Sequence, residues 1–322
     1  MPNILFASNS VSHFPGSSVR NEEWAYDANK VPYAIATPPL TKASSPKFGE
    51  SETNDTWFHF THGIDDEFWS IIDDPICEVT NKDGDRIFLL TYRNSTSTGY
   101  KIDFRSGTQS VTKSKYIPHL RDQRRTYDIR YTSTGVNDSL SLYVNEILLL
   151  EVSFSASEKN VPEALLIGGA SVDTDEVISF FSEIIIADGD TRNARLDLLR
   201  PVSAGAYDNW NGPLSSLADD DPTTGMTTTL DDQNQSTILS AYGGANNISN
   251  IVQVTTTVRG INSPENLQHL IRLSGVDYLT PNYEIPFAKD YQVTDWKLNP
   301  ATSQPWAAED LTTAEFGFKS KA

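Results

Sequence analysis

The sequence predicts an all-β protein: two β-sandwich domains in tandem behind an irregular N-terminal arm. Three observations carry that expectation. Long runs of Ala, Leu, Glu and Lys are missing, while Thr, Ser, Asn, Asp and Tyr are abundant, a composition that favours strands and turns. Short aromatic or β-branched runs recur between Gly, Asn and Ser. The length of 322 residues exceeds what one core usually organises, since single cores stop growing near about 250–300 residues. The expected division is an arm over 1–50, a sandwich over 51–200, and a smaller sandwich with its linker over 201–322.

Within the arm, Ile4-Leu5-Phe6-Ala7 reads as a short strand. Pro32, Pro38, Pro39 and Pro46 exclude a helix and any central strand from 31–46, which leaves an arm or an edge segment. From residue 56 the pattern changes. TWFHFTHG (56–63), RIFLLTYRN (86–94), GYKIDFRSG (99–107) and TYDIRYTST (126–134) read as strands. In the last, Tyr127, Ile129 and Tyr131 alternate with Asp128 and Arg130, the period of a strand with one wet face. SLSLYVNEILLLEVSF (139–154) reads as a hairpin turning at Asn145-Glu146. ALLIGGAS (164–171) and ISFFSEIIIADGD (178–190) supply two buried strands, and Arg195–Leu199 a further one. Pro, Gly, Asn and Asp then mark a linker. Strict alternation at Val252, Val254 and Val258, a strand pair around Ser274-Gly275, DYQVTDWKLNP (290–300) and AEFGFKS (314–320) build the second module. Residues 308–314 suggest one helical turn.

The formal net charge of −18 repels phosphate backbones, so nucleic-acid binding is not expected. The bland meaning of this charge is solubility; the sharper one is a cation site or a basic partner. The single cysteine, Cys77, excludes an intrachain disulfide and reads as a buried thiol. The N-terminus lacks a basic leader with a long apolar core, and no stretch reaches the roughly 20 apolar residues of a membrane span. Synthesis in a cytoplasm without membrane insertion is expected.

Catalytic signals are weak. Retaining glycosidases hold two carboxyls about 5–5.5 Å apart, which on a strand means acids at i and i+2 or i+4 on one face. Glu183 is followed there by Ile185 and Ala187. Asp173, Asp175 and Glu176 read as solvated charge in a loop. His59 and His62, three apart on a strand, point to opposite faces and cannot share a metal; His13, His119 and His269 lie far away. GGAS and YGG lack the spacing and helix that phosphate binding needs. Asp188-Gly189-Asp190, Asp219–Asp221 and Asp231-Asp232 offer oxygen ligands for a structural calcium, though none forms an EF-hand loop; solvated charge is the ordinary role of such loops. Trp24, Trp57, Trp69, Trp210, Trp296 and Trp306 are either core anchors or stacking platforms for sugar rings. Trp210, within DNWNG, is the one whose flanks most suggest exposure. Trp210, Asp188 and Asp190 are therefore the candidate ligand-binding residues. No cofactor and no enzymatic activity are expected.

LYVNEILLLEV, LLIGGAS and FFSEIIIAD resemble the later strands of concanavalin A-like, laminin-G-like jelly rolls. FSEIIIADGDTRNARLDLLRPVSAGAYDNWNG and NPATSQPW…AEFGFKSKA are similar to patterns of tailed-bacteriophage virion structural proteins. The resemblance spans about residues 56–322. It implies jelly-roll-like sandwiches in a virion protein of the tail, its fibres or its adhesion apparatus. Its partners would be further copies of itself, other virion proteins and, at the outside, host surface polysaccharide. A capsid-decorating or head-fibre protein and a free carbohydrate-binding module are the alternatives. The resemblance implies no catalytic residues. By this reading Asn299–Trp306 forms a capped loop, and Phe316-Gly317-Phe318 is the closing strand of the second sandwich, with Gly317 where no side chain fits and Trp306 in the same core.

Overall fold

The computed structural model describes residues 2–65, 73–93, 99–106, 109–117, 123–156, 158–169, 178–221, 223–244 and 248–322. The chain is all-β and divides into two compact units, Pro2–Leu196 and Asp197–Ala322.

In chain order the first unit contains β1 (Ile4–Ser8), β2 (Ser18–Arg20), β3 (Ala34–Thr37), β4 (Lys42–Ser44), β5 (Asp55–Asp65), β6 (Asp74–Asn81) and β7 (Arg86–Arg93). There follow β8 (Gly99–Ser106), β9 (Gln109–Lys115), β10 (Arg125–Ser133), β11 (Asn137–Val144), β12 (Ile147–Ser155), β13 (Pro162–Gly168) and β14 (Ile178–Ala187). They form an eight-stranded sheet, β12-β11-β10-β5-β14-β3-β2 with β1 also on β14, and a six-stranded sheet, β4-β13-β6-β7-β8-β9. The inner faces meet through aromatic rings. Phe58 lies 5.7 Å from Phe88, Tyr100 5.8 Å from Tyr127 and Phe104 5.9 Å from Tyr131, centre to centre. All six are buried, and each such side chain contributes about 1.5–3 kcal/mol by leaving water.

The second unit contains β15 (Pro201–Asp208), β16 (Asn234–Leu239), β17 (Ile251–Thr257), β18 (Asn266–Leu273), β19 (Val276–Leu279), β20 (Tyr283–Glu284), β21 (Asp290–Trp296) and β22 (Glu315–Lys321). One sheet runs β15-β16-β22-β18-β19, with β20 also on β18; β17 and β21 form a separate two-stranded ribbon. A 3-10 turn spans Ala308–Thr312. Trp306 and Phe316 pack with Ile271, Leu273 and Ala314, and Phe318 with Leu267 and Ile285. β22 pairs on both sides, with β16 and β18. A Cβ on Gly317 would strike the Gln235 carbonyl oxygen and lie 2.8 Å from Ser236 Cα. The chain end is thus the middle of a sheet.

Several expectations need correction. The first fifty residues are not an arm apart from the sandwich; they supply four strands to it. β2 and β4 are edge strands, but β3 pairs with both β14 and β2. The prolines bracket Ala34–Thr37 rather than interrupt it, so no ladder donor is lost. The unit boundary falls at 196/197. Arg195–Leu199 is not a strand; the Leu196 amide is held by Glu183 Oε2 at 3.3 Å instead of a ladder partner. Val258 lies past the end of β17 and is 66% exposed. β9 was not expected. The Asn145-Glu146 turn is present with positive φ at both residues, 50° and 67°, the type I′ geometry. Trp69, His119, Asp173, Asp175 and Glu176 lie outside the described residues.

Candidate functional site

Strand register divides the six-stranded sheet into two unlike faces. Leu165, Val79, Phe88, Phe104 and Val111 form one cross-strand row and point into the sandwich. The adjacent row is Ser44, Leu166, Glu78, Leu89, Asp103 and Thr112 and points out. On this outer face the charges alternate. Lys42 Nζ lies 2.5 Å from Glu78 Oε2, and Arg86 Nη2 donates to the same oxygen at 3.2 Å. Arg86 Nη1 stands 3.9 Å from Asp103 Oδ2, which also accepts from Arg105 at 3.1 Å. Lys101 pairs with Asp73 at 2.6 Å. Burial opposes ionisation of Glu78, but the hydrogen bonds and charges of Lys42 and Arg86 outweigh it and hold the carboxyl below its usual range. The row runs from β4 to β8, about 19 Å at the usual strand spacing of about 4.8 Å. Its members fix one another, so donors and acceptors are oriented before any ligand arrives.

The outer face of the eight-stranded sheet is covered in part instead. There β14 carries a bulge: its register on β5 shifts between Ser182 and Ile185, and Glu183 takes φ 56°. The Glu183 amide donates to Asn9 Oδ1 at 2.9 Å. The bulge breaks the simple i, i+2 parity applied to Glu183 from sequence. Beyond β14, residues 188–196 cross the sheet as a strap. Thr191 Oγ1 donates to Asp128 Oδ1 at 2.8 Å, and the same oxygen lies 2.8 Å from His59 Nδ1. His59 and Asp128 are fully buried. The face read as wet in YDIRY is therefore dry at Asp128, where the strap lies on it, while the Arg130 side chain remains 43% exposed. Arg192 sits over Tyr143 at 4.9 Å and over Trp57 at 5.7 Å, and the two rings stack 5.8 Å apart.

The candidate ligand residues are engaged within their own units. Asp188 is buried and accepts from the Asn3 amide at 2.7 Å and from the Asn3 side chain. Asp190 grips the Arg192 guanidinium, and this charged hydrogen bond above all holds its carboxyl below the usual range. Trp210 is half-buried, edge-on to Phe318 at 4.7 Å, with Nε1 donating to Gln233 O at 3.0 Å. The acidic loops are likewise engaged: Asp221 accepts from Thr223, Asp220 pairs with Arg200, and Asp232 with Lys319 and Lys321. Among the described residues no group of three or more His, Cys, Asp or Glu is placed to hold a metal, and no helix is long and apolar enough to cross a membrane. Sequence reasoning missed the charged row because its members lie far apart in the chain and meet only through strand pairing, and because β9, which carries Thr112, was unrecognised. Its signal was the alternation of Lys101, Asp103 and Arg105 at period two.

No protein-family model and no curated protein sequence matches the chain. Solved structures share the sandwich only distantly. The carbohydrate recognition domain of Emp46p, in its potassium-bound form, is 14% identical, with 59% of this chain and 96% of that one covered and a TM-score of 0.39. The cellulose-induced protein Cip1 is 12% identical, covering 55% and 88%, with a TM-score of 0.35. The alginate lyase AlyC3 is 7% identical, covering 48% and 74%, also at 0.35.

Proposed function

We propose that the chain is a non-enzymatic glycan-binding protein, with the ligand lying on the outer face of the six-stranded sheet in the first unit. One observation carries this: the row Lys42, Glu78, Arg86, Asp103, Arg105, flanked by Ser44 and Thr112. It offers pre-oriented donors and acceptors along an extended track, which suits a chain rich in hydroxyls. Among the described residues the face has no large aromatic anchor of the kind that dominates protein interfaces, and the net charge of −18 disfavours nucleic acid. Binding to a panel of immobilised polysaccharides, compared between the wild type and the Arg86→Ala and Asp103→Ala variants, tests it. At least tenfold weaker binding by both variants is expected. Unchanged binding by both removes the site from this face, and binding to no glycan removes the reading.

Placement on a phage particle is a second reading, supported by FSEIIIADGDTRNARLDLLRP and its neighbouring segments. Antibody labelling of intact virions checks it. Label at the tail favours attachment, label over the head favours capsid decoration, and no label favours a free module.

A further inference from the structure

We infer that a small pocket at the edge of the eight-stranded sheet takes the carboxylate of an acidic sugar residue. The pocket has a volume of about 270 Å³ and is lined by Ser18, Arg20, Ala36, Pro38, Pro39 and Ile178. The inference rests on the glycan reading above and names the class of sugar.

The sequence dictates the pocket's shape. β2 is three residues long and, among the described residues, pairs only with β3, Ser18 opposite Ala36 and Arg20 opposite Ala34. Ser18 and Arg20 therefore share one face of an edge strand, above the small side chain of Ala36, which is 1% exposed. Pro38 and Pro39 follow β3 and turn the chain away at once. The result is an apolar recess of Ala, Pro and Ile with a hydroxyl and a guanidinium on one wall.

Arg20 is unusual in its chemistry. Arg86, Arg130, Arg192, Arg200, Arg259 and Arg272 each hold a carboxylate. Arg20 pairs with none among the described residues, in a chain with 43 acidic residues to 25 basic ones. No carboxylate is among the described residues lining the recess. A guanidinium left open beside apolar walls fits a planar carboxylate in bidentate fashion. The prolines and Ile178 suit the C–H face of a pyranose ring, and Ser18 suits a ring hydroxyl. Pocket and charged row are linked along the chain: the connection 38–41 leads from the pocket wall into Lys42, the first cation of that row.

The test is calorimetric titration of the full chain with two probes, a galacturonic acid trimer and the neutral galactose trimer. Wild type and Arg20→Ala are compared at two salt concentrations. Arg20→Ala is expected to weaken uronate binding about tenfold or more and leave the neutral probe unchanged. The wild-type preference for the uronate should shrink as salt screens the pair. Arg20→Lys should recover part of the loss. Matching thermal melts confirm that these exposed edge-strand variants are folded. If the wild type binds the uronate and Arg20→Ala binds it equally well, the pocket is overturned while glycan binding stands. Displacement of the uronate by equimolar N-acetylglycine overturns the sugar part and leaves a general carboxylate site. A wild type that binds neither probe overturns the pocket; glycan binding itself falls only if the polysaccharide panel is also blank.

Discussion

Each unit buries a histidine completely, and the two do so by opposite means. His59 in the first unit keeps company with a carboxylate and a hydroxyl, Asp128 and Thr191. His269 in the second lies between the sheet and the ribbon, bridged to Thr294 at 2.7 Å and Thr255 at 3.0 Å. The first arrangement starts on the outside of a sheet, where a strand alternation puts polar residues, and becomes buried only because the strap 188–196 covers it. The second starts inside a core, where only uncharged partners are at hand. Burial there disfavours the imidazolium and lowers the His269 pKa to about 3. A buried polar side chain thus reports what covers it, not only where its strand points.

The largest expected effect breaks the first arrangement. Asp128→Ala leaves His59 Nδ1 and the Thr191 hydroxyl without their shared acceptor in a dry site. Each buried polar partner left unsatisfied costs about 1–3 kcal/mol. Urea unfolding should show it, with Asp128→Asn intermediate. A loss below about 1 kcal/mol would mean that water reaches the cluster and that the strap is not a seal.

The second arrangement carries a pH signature. His269 has its ordinary value of 6.5 in the unfolded chain and about 3 in the folded one. Between those values the unfolded chain binds the extra proton, so stability rises with pH there and is complete above about 6.5. On acidification the contribution is lost by up to about 1.4 kcal/mol per pH unit. His269→Gln should flatten the slope between pH 6 and pH 4 relative to the wild type. An unchanged slope would place the titration elsewhere.

A gentler variant separates the strap from the cluster. Thr191→Val keeps the shape of the side chain and removes one hydroxyl. It should cost about 1 kcal/mol and raise amide exchange over residues 188–196 more than in β10. Equal protection in the variant would assign the strap's hold to Arg192 on Trp57 and Tyr143 and to Asp188 on Asn3.

The strands with bold patterns were legible in the sequence, and so were the positions of the turns at Asn145-Glu146 and Ser274-Gly275. What was not legible shares one cause: long-range pairing. Ala34–Thr37 looks like a scrap between prolines until β14 and β2 bracket it. With Lys113 and Lys115, β9 shows no bold apolar pattern, yet Val111 faces Phe104 across the ladder. Asp128 reads as solvated until Thr191, 63 residues away, lies on it. The Ser-Glu-Ile-Ile-Ile-Ala-Asp-Gly-Asp-Thr-Arg run stands out in the sequence as a pattern. Its physical meaning, a bulge followed by a strap with Asp188, Thr191 and Arg192 each gripping a different element, needed the sheet beneath it. The site was less legible than the fold, because the charged row draws its residues from four separate strands.

The smallest effect sharpens the comparison between the units at their hairpins. The β11–β12 turn has Asn145 and Glu146 at φ 50° and 67°, and the β18–β19 turn has Ser274 and Gly275 at 49° and 84°. The geometry is the same, but only the second turn places glycine at its second position, where a left-handed backbone carries no Cβ penalty. Glu146 also pairs with Arg195 at 3.4 Å; both side chains are largely in solvent, so the pair contributes little. Glu146→Gly should therefore stabilise the first unit by about 0.5–1 kcal/mol, and Gly275→Glu should destabilise the second by a similar amount. Opposite signs in the two melts support strain at Glu146. If Glu146→Gly destabilises instead, the Arg195 pair anchors the strap's far end, and the charge at this turn outweighs its backbone strain.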